Sequence, residues 1–174
     1  MDTIPQNIKH LLQDIGENSV LLRLYLELYN SGWNAYRNLH EAGCDIIILP
    51  KVVGSFSIQS FRFLKIEVKT RQKVIYKGKD KSVHFTATQS EYNNCHFLIA
   101  YWFDENEYFI IPKNYLNKQK SGNKHVYKFI VSKKMIEDKK NDIQKFRNNW
   151  KLITKATIMT WNDGAGIENL KIED

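Results

Sequence analysis

The sequence has little of what marks several classes of protein. Its 174 residues include two cysteines, Cys44 and Cys95, and three prolines. Two cysteines outside a CxxC spacing are too few for the disulfide scaffold of a small secreted domain, and we expect both to be buried free thiols. The five histidines are scattered without an HxH or HExxH pattern, so the sequence predicts no zinc site.

Long apolar runs free of charge are missing as well. No segment has the length and apolarity needed to span a bilayer. The start of the chain, MDTIPQNIKHLLQDIGEN, lacks the basic residues, apolar run and small-residue cleavage site of a signal peptide. We therefore expect an intracellular, cytoplasmic protein with no membrane partner.

The length and the 43% content of hydrophobic residues are sufficient for one domain with its own core. We expect this domain to cover residues 1–155, with a basic part that begins at about residue 113. The remaining residues, 156–174, end in an acidic stretch, and we expect them to form a peripheral tail.

The formal charge of +7 is concentrated in one part of the chain. Residues 113–155 contain 13 lysines and arginines against three acidic residues, so the remainder of the chain is slightly acidic. A basic region on such a protein favours a polyanionic partner, most often nucleic acid. A solvated lysine-rich surface accounts for the same charge equally well.

Hydrophobic periodicity predicts helices that alternate with strands. A helix is expected over 4–30, interrupted or broken at Gly16, and another begins near Gln89, where Thr88 and Glu91 form a capping-box pattern. The remaining expectations are strands at 33–39, 44–50, 60–70, 96–103, 108–112 and 125–132, a basic loop at 70–85 and a helix at 133–153. This order predicts an α/β fold with a mixed central sheet flanked by helices.

The stretch FLKIEVKT, residues 63–70, alternates apolar and charged residues as a half-buried strand does. If it forms a hairpin with the strand CDIIILP, a turn centred on residue 56 places Asp45 across from Glu67. Lys69 projects to the same face as Glu67 because the two are separated by one residue. Two carboxylates and an ammonium group are thereby expected to meet near one end of the hairpin.

This grouping suits phosphodiester hydrolysis with a divalent metal. Two carboxylates held close together can bind Mg²⁺, which keeps several waters and completes its shell with a phosphate oxygen. Lys69 could then position or deprotonate a water, or stabilise the developing charge. The same residues are also compatible with a solvated ladder of charges on an exposed sheet face.

The order of these motifs resembles that of the PD-(D/E)xK nuclease superfamily, which has the restriction-endonuclease-like fold. The matching motifs are IGENSVLLRLYLELYNSGW with Glu17, GCDIIIL with Asp45, IEVKT with Glu67 and Lys69, and TATQSEY with Gln89. The pattern is most similar to the branch of Holliday-junction resolvases and small homing or restriction endonucleases. It covers about residues 8–112, and Cys44 stands where the name-giving proline would be.

The resemblance implies a metal-dependent DNA endonuclease that uses Mg²⁺ or Mn²⁺. It implies that Asp45 and Glu67 are metal ligands and that Lys69 is the catalytic lysine. Glu17 would be an additional acid that binds a second metal or a water, and Gln89 would orient the attacking water or contact a phosphate. It also implies a homodimer or a higher homo-oligomer.

Several basic residues are candidates for contacts with the DNA backbone, which contribute affinity rather than sequence recognition. They are Lys65, Arg71, Lys73, Lys77, Lys79, Lys81, Lys133 and Lys134. The alternatives are a catalytically inactive nucleic-acid-binding module with a nuclease-like fold, or an interaction domain without a nucleic-acid role. A four-way junction, a specific duplex site and invading DNA all remain possible substrates.

Overall fold

The computed structural model of the chain describes residues 5–39, 43–51, 63–72 and 82–162. These residues form four α-helices and eight β-strands. The helices are α1 (Gln6–Leu28), α2 (Gln89–Asn94), α3 (Lys133–Glu137) and α4 (Lys151–Asn162). The strands are β1 (Trp33–Arg37), β2 (Ile46–Pro50), β3 (Leu64–Arg71), β4 (Ser82–Thr88), β5 (Phe97–Trp102), β6 (Glu107–Pro112), β7 (Asn117–Ser121) and β8 (Lys124–Ser132).

The strands form two sheets. The larger sheet has the order β1-β2-β3-β5-β6, and its β3–β5 pair is parallel whereas the other pairs are antiparallel. It is therefore mixed, as predicted, and every residue of its strand β5 is buried. The smaller sheet has the order β4-β8-β7 and is antiparallel. Phe129 of β8 packs against Phe109 of β6, with ring centroids 5.5 Å apart, and so joins the two sheets in one core.

The first helix is continuous, so Gly16 does not break it. A Cβ atom at this position would lie 1.6 Å from the side-chain oxygen of Thr70 on β3. Glycine therefore lets α1 approach the sheet closely, and this contact brings the neighbouring Glu17 to the end of β3. Gly32, with a φ of +75°, lies in the turn that follows the helix, a conformation that glycine adopts without strain.

The hairpin that positions the acids has the predicted register. Ile46 pairs with Ile66 and Ile48 with Leu64, and extending this register by one residue sets Asp45 opposite Glu67. The backbone N–H of Asp45 donates to the carbonyl of Ile66 at 2.9 Å. The turn expected around residue 56 lies outside the described residues.

The smaller sheet is a finding that the sequence did not predict. Strand β4 begins at Ser82, inside the segment 70–85 that we expected to be a loop, and β7 was not expected at all. Strand β4 carries apolar residues only at every second position, and β7 has none. The alternation in β4 is the pattern of a half-buried strand, which the interpretation of 70–85 as a basic loop overlooked, whereas β7 has no hydrophobic signal at all.

The helix predicted over 133–153 is wrong. Helix α3 ends at Glu137, a 3₁₀ turn follows at Asp142–Lys145, and α4 begins only at Lys151. Asn148 has a φ of 49° and its side-chain oxygen accepts the N–H of Tyr108, an arrangement that a continuous helix could not contain. Helix α4 continues past residue 155 and buries Ala156 and Thr157, whereas the domain limits themselves stay a prediction.

Two other expectations concern the cysteines and the membrane. Cys44 and Cys95 are both free and buried, as predicted. Among the helices of the described ranges, none is both long and apolar enough to cross a bilayer.

Candidate active site

A cleft of about 410 Å³ lies where α1 crosses the ends of β1, β2 and β3. Three acidic side chains predicted from the sequence, Glu17, Asp45 and Glu67, line this cleft. Glu17 reaches it because Gly16 brings α1 against β3, and the other two reach it because of the hairpin register. The fold therefore brings these three predicted residues together.

Asp45 is held by the backbone of the neighbouring strand. Its Oδ2 accepts the N–H of Val68 at 2.6 Å. Burial raises the pKa of Asp45 to about 6, although this hydrogen bond acts in the opposite direction. The negative charge of Glu17 also raises the pKa of Asp45, so the two acids are near enough to repel each other.

Glu67 is only 4% exposed, on a strand whose neighbouring residues Ile66 and Val68 are also buried. Burial and then the charge of Asp45 raise its pKa to about 7, against the attraction of Lys69. An acid in this position is costly to ionise without a cation. The half-buried Asp45 and the buried Glu67 thus form a pair of carboxylates whose mutual repulsion a divalent cation would relieve.

Lys69 bridges two carboxylates. Its Nζ donates to Oε1 of Glu67 at 2.6 Å and to Oε1 of Glu91 at 2.9 Å. Burial by itself lowers the pKa of Lys69, but the charges and hydrogen bonds of Glu67 and Glu91 outweigh it, so the net pKa is raised. The lysine is accordingly a fixed cation at the edge of the acid pair.

Glu91 is a site residue that the sequence reasoning missed. We identified it only as the third helical residue of a capping box, and the structure confirms that box: Glu91 N–H donates to Thr88 Oγ1, and Thr88 N–H donates to Glu91 Oε2. Its other carboxylate oxygen binds Lys69. Burial raises the pKa of Glu91, but the hydrogen bonds from Thr88 and Lys69 outweigh burial. The net pKa is therefore lowered, and the acid stays ionised. No local signal could have revealed this role, because Glu91 meets Lys69 only through a tertiary contact between residues 22 positions apart.

Glu17 is buried and bound on both oxygens. Gln13 donates to Oε1 at 2.9 Å, and Arg37 donates to Oε2 at 2.8 Å. The same guanidinium nitrogen of Arg37 also binds Asp14 at 2.8 Å. Arg37 was not predicted, and it offsets part of the negative charge that Glu17 adds to the cleft.

Gln89 lies at the first turn of α2 and is not among the residues that line the acid cleft. Its Nε2 donates to Asn93 at 2.9 Å, and its Oε1 accepts the hydroxyl of Tyr127 at 3.1 Å. The structure therefore ties Gln89 to the second sheet rather than to the acids, and its role stays a prediction.

The predicted DNA contacts fall in separate places. Arg71 and Lys69 line a second cleft, of about 450 Å³, together with Lys9 and His10 of α1. His10 also lines the acid cleft, so the two clefts adjoin along α1. Three other predicted contacts lie elsewhere. The Nζ of Lys65 is 5.4 Å from the ring centroid of Phe63. Lys133 forms an ion pair with Glu105 at 3.0 Å, and its neighbour Lys134 is exposed. Lys73, Lys77, Lys79 and Lys81 lie outside the described residues.

The donor set fits a divalent metal that keeps part of its water shell. Within the part of the chain that the structure describes, no three His, Cys, Asp or Glu residues form a group that could enclose a metal. Mg²⁺, however, is commonly held by one or two carboxylates with waters and substrate phosphates as the other ligands. The Asp45–Glu67 pair fits this mode of binding, with Glu17 nearby in the same cleft.

Comparison with known proteins identifies the fold. No family model and no curated protein matches the sequence. The structure is similar to that of the bacterial homing endonuclease I-Ssp6803I, with a TM-score of 0.56 and 17% identity over 87% of this chain and 96% of that one. It also matches Hjc, a Holliday junction resolvase from the archaeal hyperthermophile Archaeoglobus fulgidus, with a TM-score of 0.40 and 15% identity over 67% of this chain and 84% of that one. The first likeness shows that the chain shares the fold of that protein, and so confirms the predicted mixed central sheet flanked by helices.

Proposed function

We propose that the chain is a Mg²⁺-dependent endonuclease that hydrolyses phosphodiester bonds in DNA. The observation that carries this proposal is the pair of the half-buried Asp45 and the buried Glu67, with Lys69 bound to Glu67, in a cleft that opens to solvent. A carboxylate whose pKa is raised to about 7 by burial and by a second acid is costly to the fold unless a cation joins it. The likeness to a homing endonuclease supports the same class of reaction.

Asp45 and Glu67 are the residues that would hold Mg²⁺ or Mn²⁺. Such an ion, when bound there, neutralises charge on the scissile phosphate and lowers the pKa of a water. The hydrogen bond from Val68 fixes Oδ2 of Asp45, and Oδ1 is the oxygen that would be offered to the ion. Glu17 faces the same cleft, where its carboxylate would bind a water or a second ion.

Lys69 would act as a cation rather than as a base. Since the net pKa of its ammonium group is raised by Glu67 and Glu91, the group keeps its proton at neutral pH. A fixed positive charge beside the phosphate stabilises the negative charge that develops as the bond breaks. Gln89 and the predicted basic contacts would bind DNA outside this centre.

The proposed enzyme acts as a homodimer through the outward face of α1. This face lies opposite the side of the helix that packs on the sheet. We define it as Ile8, Leu11, Ile15, Asn18, Leu22, Tyr25, Leu26 and Tyr29. Leu22, Leu26 and Tyr29 are 62%, 64% and 76% exposed. Most of its positions follow steps of three and four residues, with a single central Asn18, as in helices that pair with a copy of themselves.

A second copy also suits the proposed chemistry. The described residues of one chain hold a single acid pair, whereas a duplex has two strands to cut. Contact through the outward face would leave the acid cleft of each subunit open, since Gln13 and Glu17 line this cleft from the opposite side of α1.

Replacing Leu22 and Leu26 with glutamate should convert a dimer to a monomer in light scattering after size exclusion. Ile158→Glu, at a 59% exposed position on α4, is the control, and a wild-type monomer would contradict the dimer.

Cleavage tests the proposed activity. Purified protein should nick or cut supercoiled plasmid or a synthetic four-way junction in Mg²⁺ but not in EDTA, and the preferred DNA identifies the substrate. Lys69→Ala should abolish the cleavage. The control is Lys139→Ala, which removes an exposed lysine that does not line the acid cleft, and it should leave the cleavage unchanged. Binding of DNA without cleavage in any divalent metal would instead favour the inactive binding module.

A further inference from the structure

The β7–β8 hairpin extends beyond the body of the molecule. All five residues of β7 are exposed, and so are Lys124 and His125 at the start of β8. Burial along β8 becomes complete only at Tyr127. Antiparallel sheets normally bury one face against the core, but the tip of this hairpin, residues 117–125, is uncovered on both faces.

The hairpin is strongly and uniformly basic. Residues 117–132 contain four lysines and no aspartate or glutamate. Its lysines can therefore not be neutralised by acids of the hairpin itself. An uncovered segment with charge of one sign is suited to a polyanion.

The lysines divide between the two faces of the hairpin. Lys118 pairs with Tyr127, and Lys120 with His125; directly opposed residues of an antiparallel pair share a face. Because Tyr127 is on the buried side of β8, the inner face of the tip carries Lys118, Lys120 and His125. Lys124 and Lys128, opposite Ser121 and Asn117, lie on the outer face.

The inner face begins one short helix away from the candidate active site. The ring of Tyr127 stacks on Tyr92 of α2, with centroids 3.6 Å apart and an angle of 8°. The Tyr127 hydroxyl also donates to Gln89 of the same helix. Glu91, between these two residues, accepts from Lys69 at 2.9 Å. Helix α2 therefore connects the lysine of the acid cleft directly to the base of the hairpin.

We infer that the inner face of the β7–β8 hairpin binds duplex DNA beside the cleaved phosphate, with the two-stranded ribbon in the major groove. This inference rests on the proposed endonuclease function. The major groove is wide enough for a two-stranded ribbon, and Lys118 and Lys120 would contact the phosphates along its edge. The single-stranded segment of a substrate offers no such groove, so the inference favours a duplex next to the site.

The competing explanation is that β7 is a free edge strand whose lysines only prevent pairing with other chains. The two explanations differ in what the inner face does. If the lysines only protect the edge strand, neither face of the hairpin contacts DNA. If the hairpin binds DNA as inferred, the lysines of the inner face contact it and those of the outer face do not. The hairpin itself supplies a matched control, because its inner and outer faces each carry two lysines.

The test measures binding without cleavage, in EDTA, by fluorescence anisotropy on a linear duplex and on the single strand of the same sequence. We expect Lys118→Ala/Lys120→Ala to weaken duplex binding at least about fivefold. The double variant should also reduce the slope of log affinity against log salt by about 1.8, or 0.9 for each lost phosphate contact. Lys124→Ala/Lys128→Ala should change both quantities far less, and all three proteins should melt at the same temperature.

Each other outcome overturns the inference. An equal loss in the two double variants would mean that general attraction by the hairpin charge is sufficient, and no loss in either would leave β7 a protected edge. Equal affinity of the wild type for the duplex and the single strand would contradict binding in the major groove. A wild-type protein that binds no DNA would overturn the proposed function as well, whereas wild-type binding unchanged by Lys118→Ala/Lys120→Ala overturns the hairpin alone.

Discussion

The two sheets of the molecule differ in what their strands present. In the larger sheet, buried apolar runs surround a few charged side chains, so Glu67 on β3 is held at 4% exposure beside Ile66 and Val68. In the smaller sheet, the lysines of β7 are exposed and this strand has no apolar residue. Burial raises the pKa of an acid and fixes the position of its carboxylate. An exposed lysine keeps its ammonium group in solvent, where it can bind the phosphates of a large polyanion. The comparison suggests that the larger sheet performs the chemistry and that the smaller one binds the substrate.

The largest effect should come from the larger sheet. Asp45→Asn should lower the rate of plasmid cleavage by roughly 1,000-fold, because metal-ion catalysis contributes several kcal/mol to phosphoryl transfer. Binding of DNA in EDTA should be almost unchanged. The rates come from gel assays in Mg²⁺, with Asp142→Asn, at an exposed acid of a 3₁₀ turn, as the control. Cleavage at the wild-type rate by Asp45→Asn would separate the acid pair from the activity.

A second variant asks whether the two sheets are one cooperative unit. Phe129→Ala should lower the free energy of unfolding by about 3 to 5 kcal/mol, the usual cost of removing a buried aromatic ring. The ring lies 5.5 Å from Phe109 and 5.8 Å from Phe146, so both sheets should unfold in a single transition at a lower denaturant concentration. Urea melts followed by circular dichroism and tryptophan fluorescence measure this. Two separate transitions would show that the smaller sheet is an independent module.

The acid pair should make stability depend on pH when no metal is present. The pKa of Glu67 is raised from 4.5 to about 7 in the folded chain, so the fold favours its protonated form. Ionisation therefore costs nothing below pH 4.5, destabilises increasingly as the pH rises, and has its full effect above pH 7. Glu67→Gln cannot ionise, and in EDTA at pH 8 it should be more stable than the wild type by roughly 3 kcal/mol.

Thermal melts from pH 5 to pH 8 would measure the difference between Glu67→Gln and the wild type. The gap should shrink as the pH falls toward 5. Glu137→Gln, at an exposed acid on α3, should show no such dependence. A gap that stays constant with pH would mean that Glu67 does not titrate in this range.

The smallest effect concerns Glu91, which stands between the two sheets. Glu91→Gln keeps a hydrogen-bond acceptor for Lys69 but removes the charge, so cleavage should fall only about tenfold. Because Glu91 helps to raise the pKa of Lys69, loss of activity at high pH should begin at a lower pH in the variant. A rate loss without any change in the pH profile would point to the capping box of α2 alone.

The sequence predicted the larger sheet because its strands carry dense apolar signals. The alternation in FLKIEVKT and the run CDIIILP gave both the strands and their register, which sets Asp45 across from Glu67. Gly16 was interpreted as a possible break because a helix pattern does not show a close tertiary contact. Its reason is Thr70, a residue 54 positions later whose side chain would collide with any Cβ.

The smaller sheet and the outer part of the site were not predictable in the same way. Strand β7 is polar at every position and is stabilised by its pairing with β8, which periodicity in one segment cannot reveal. Glu91 and Arg37 reach the site through tertiary contacts with Lys69 and Glu17. Each has an ordinary local explanation, as a capping acid and as a strand residue, so the local sequence held no sign of the second role.

The metal site at the acid pair is tested most directly by a titration of Mn²⁺, followed by electron paramagnetic resonance, into the wild type and Glu67→Gln at pH 7.5. The account predicts saturable binding to the wild type that weakens as the pH is lowered through about 7, where Glu67 gains its proton, and loss of that binding in Glu67→Gln. Equal binding by the two proteins, or no saturable binding by the wild type with DNA present, would contradict a metal centre at Asp45 and Glu67.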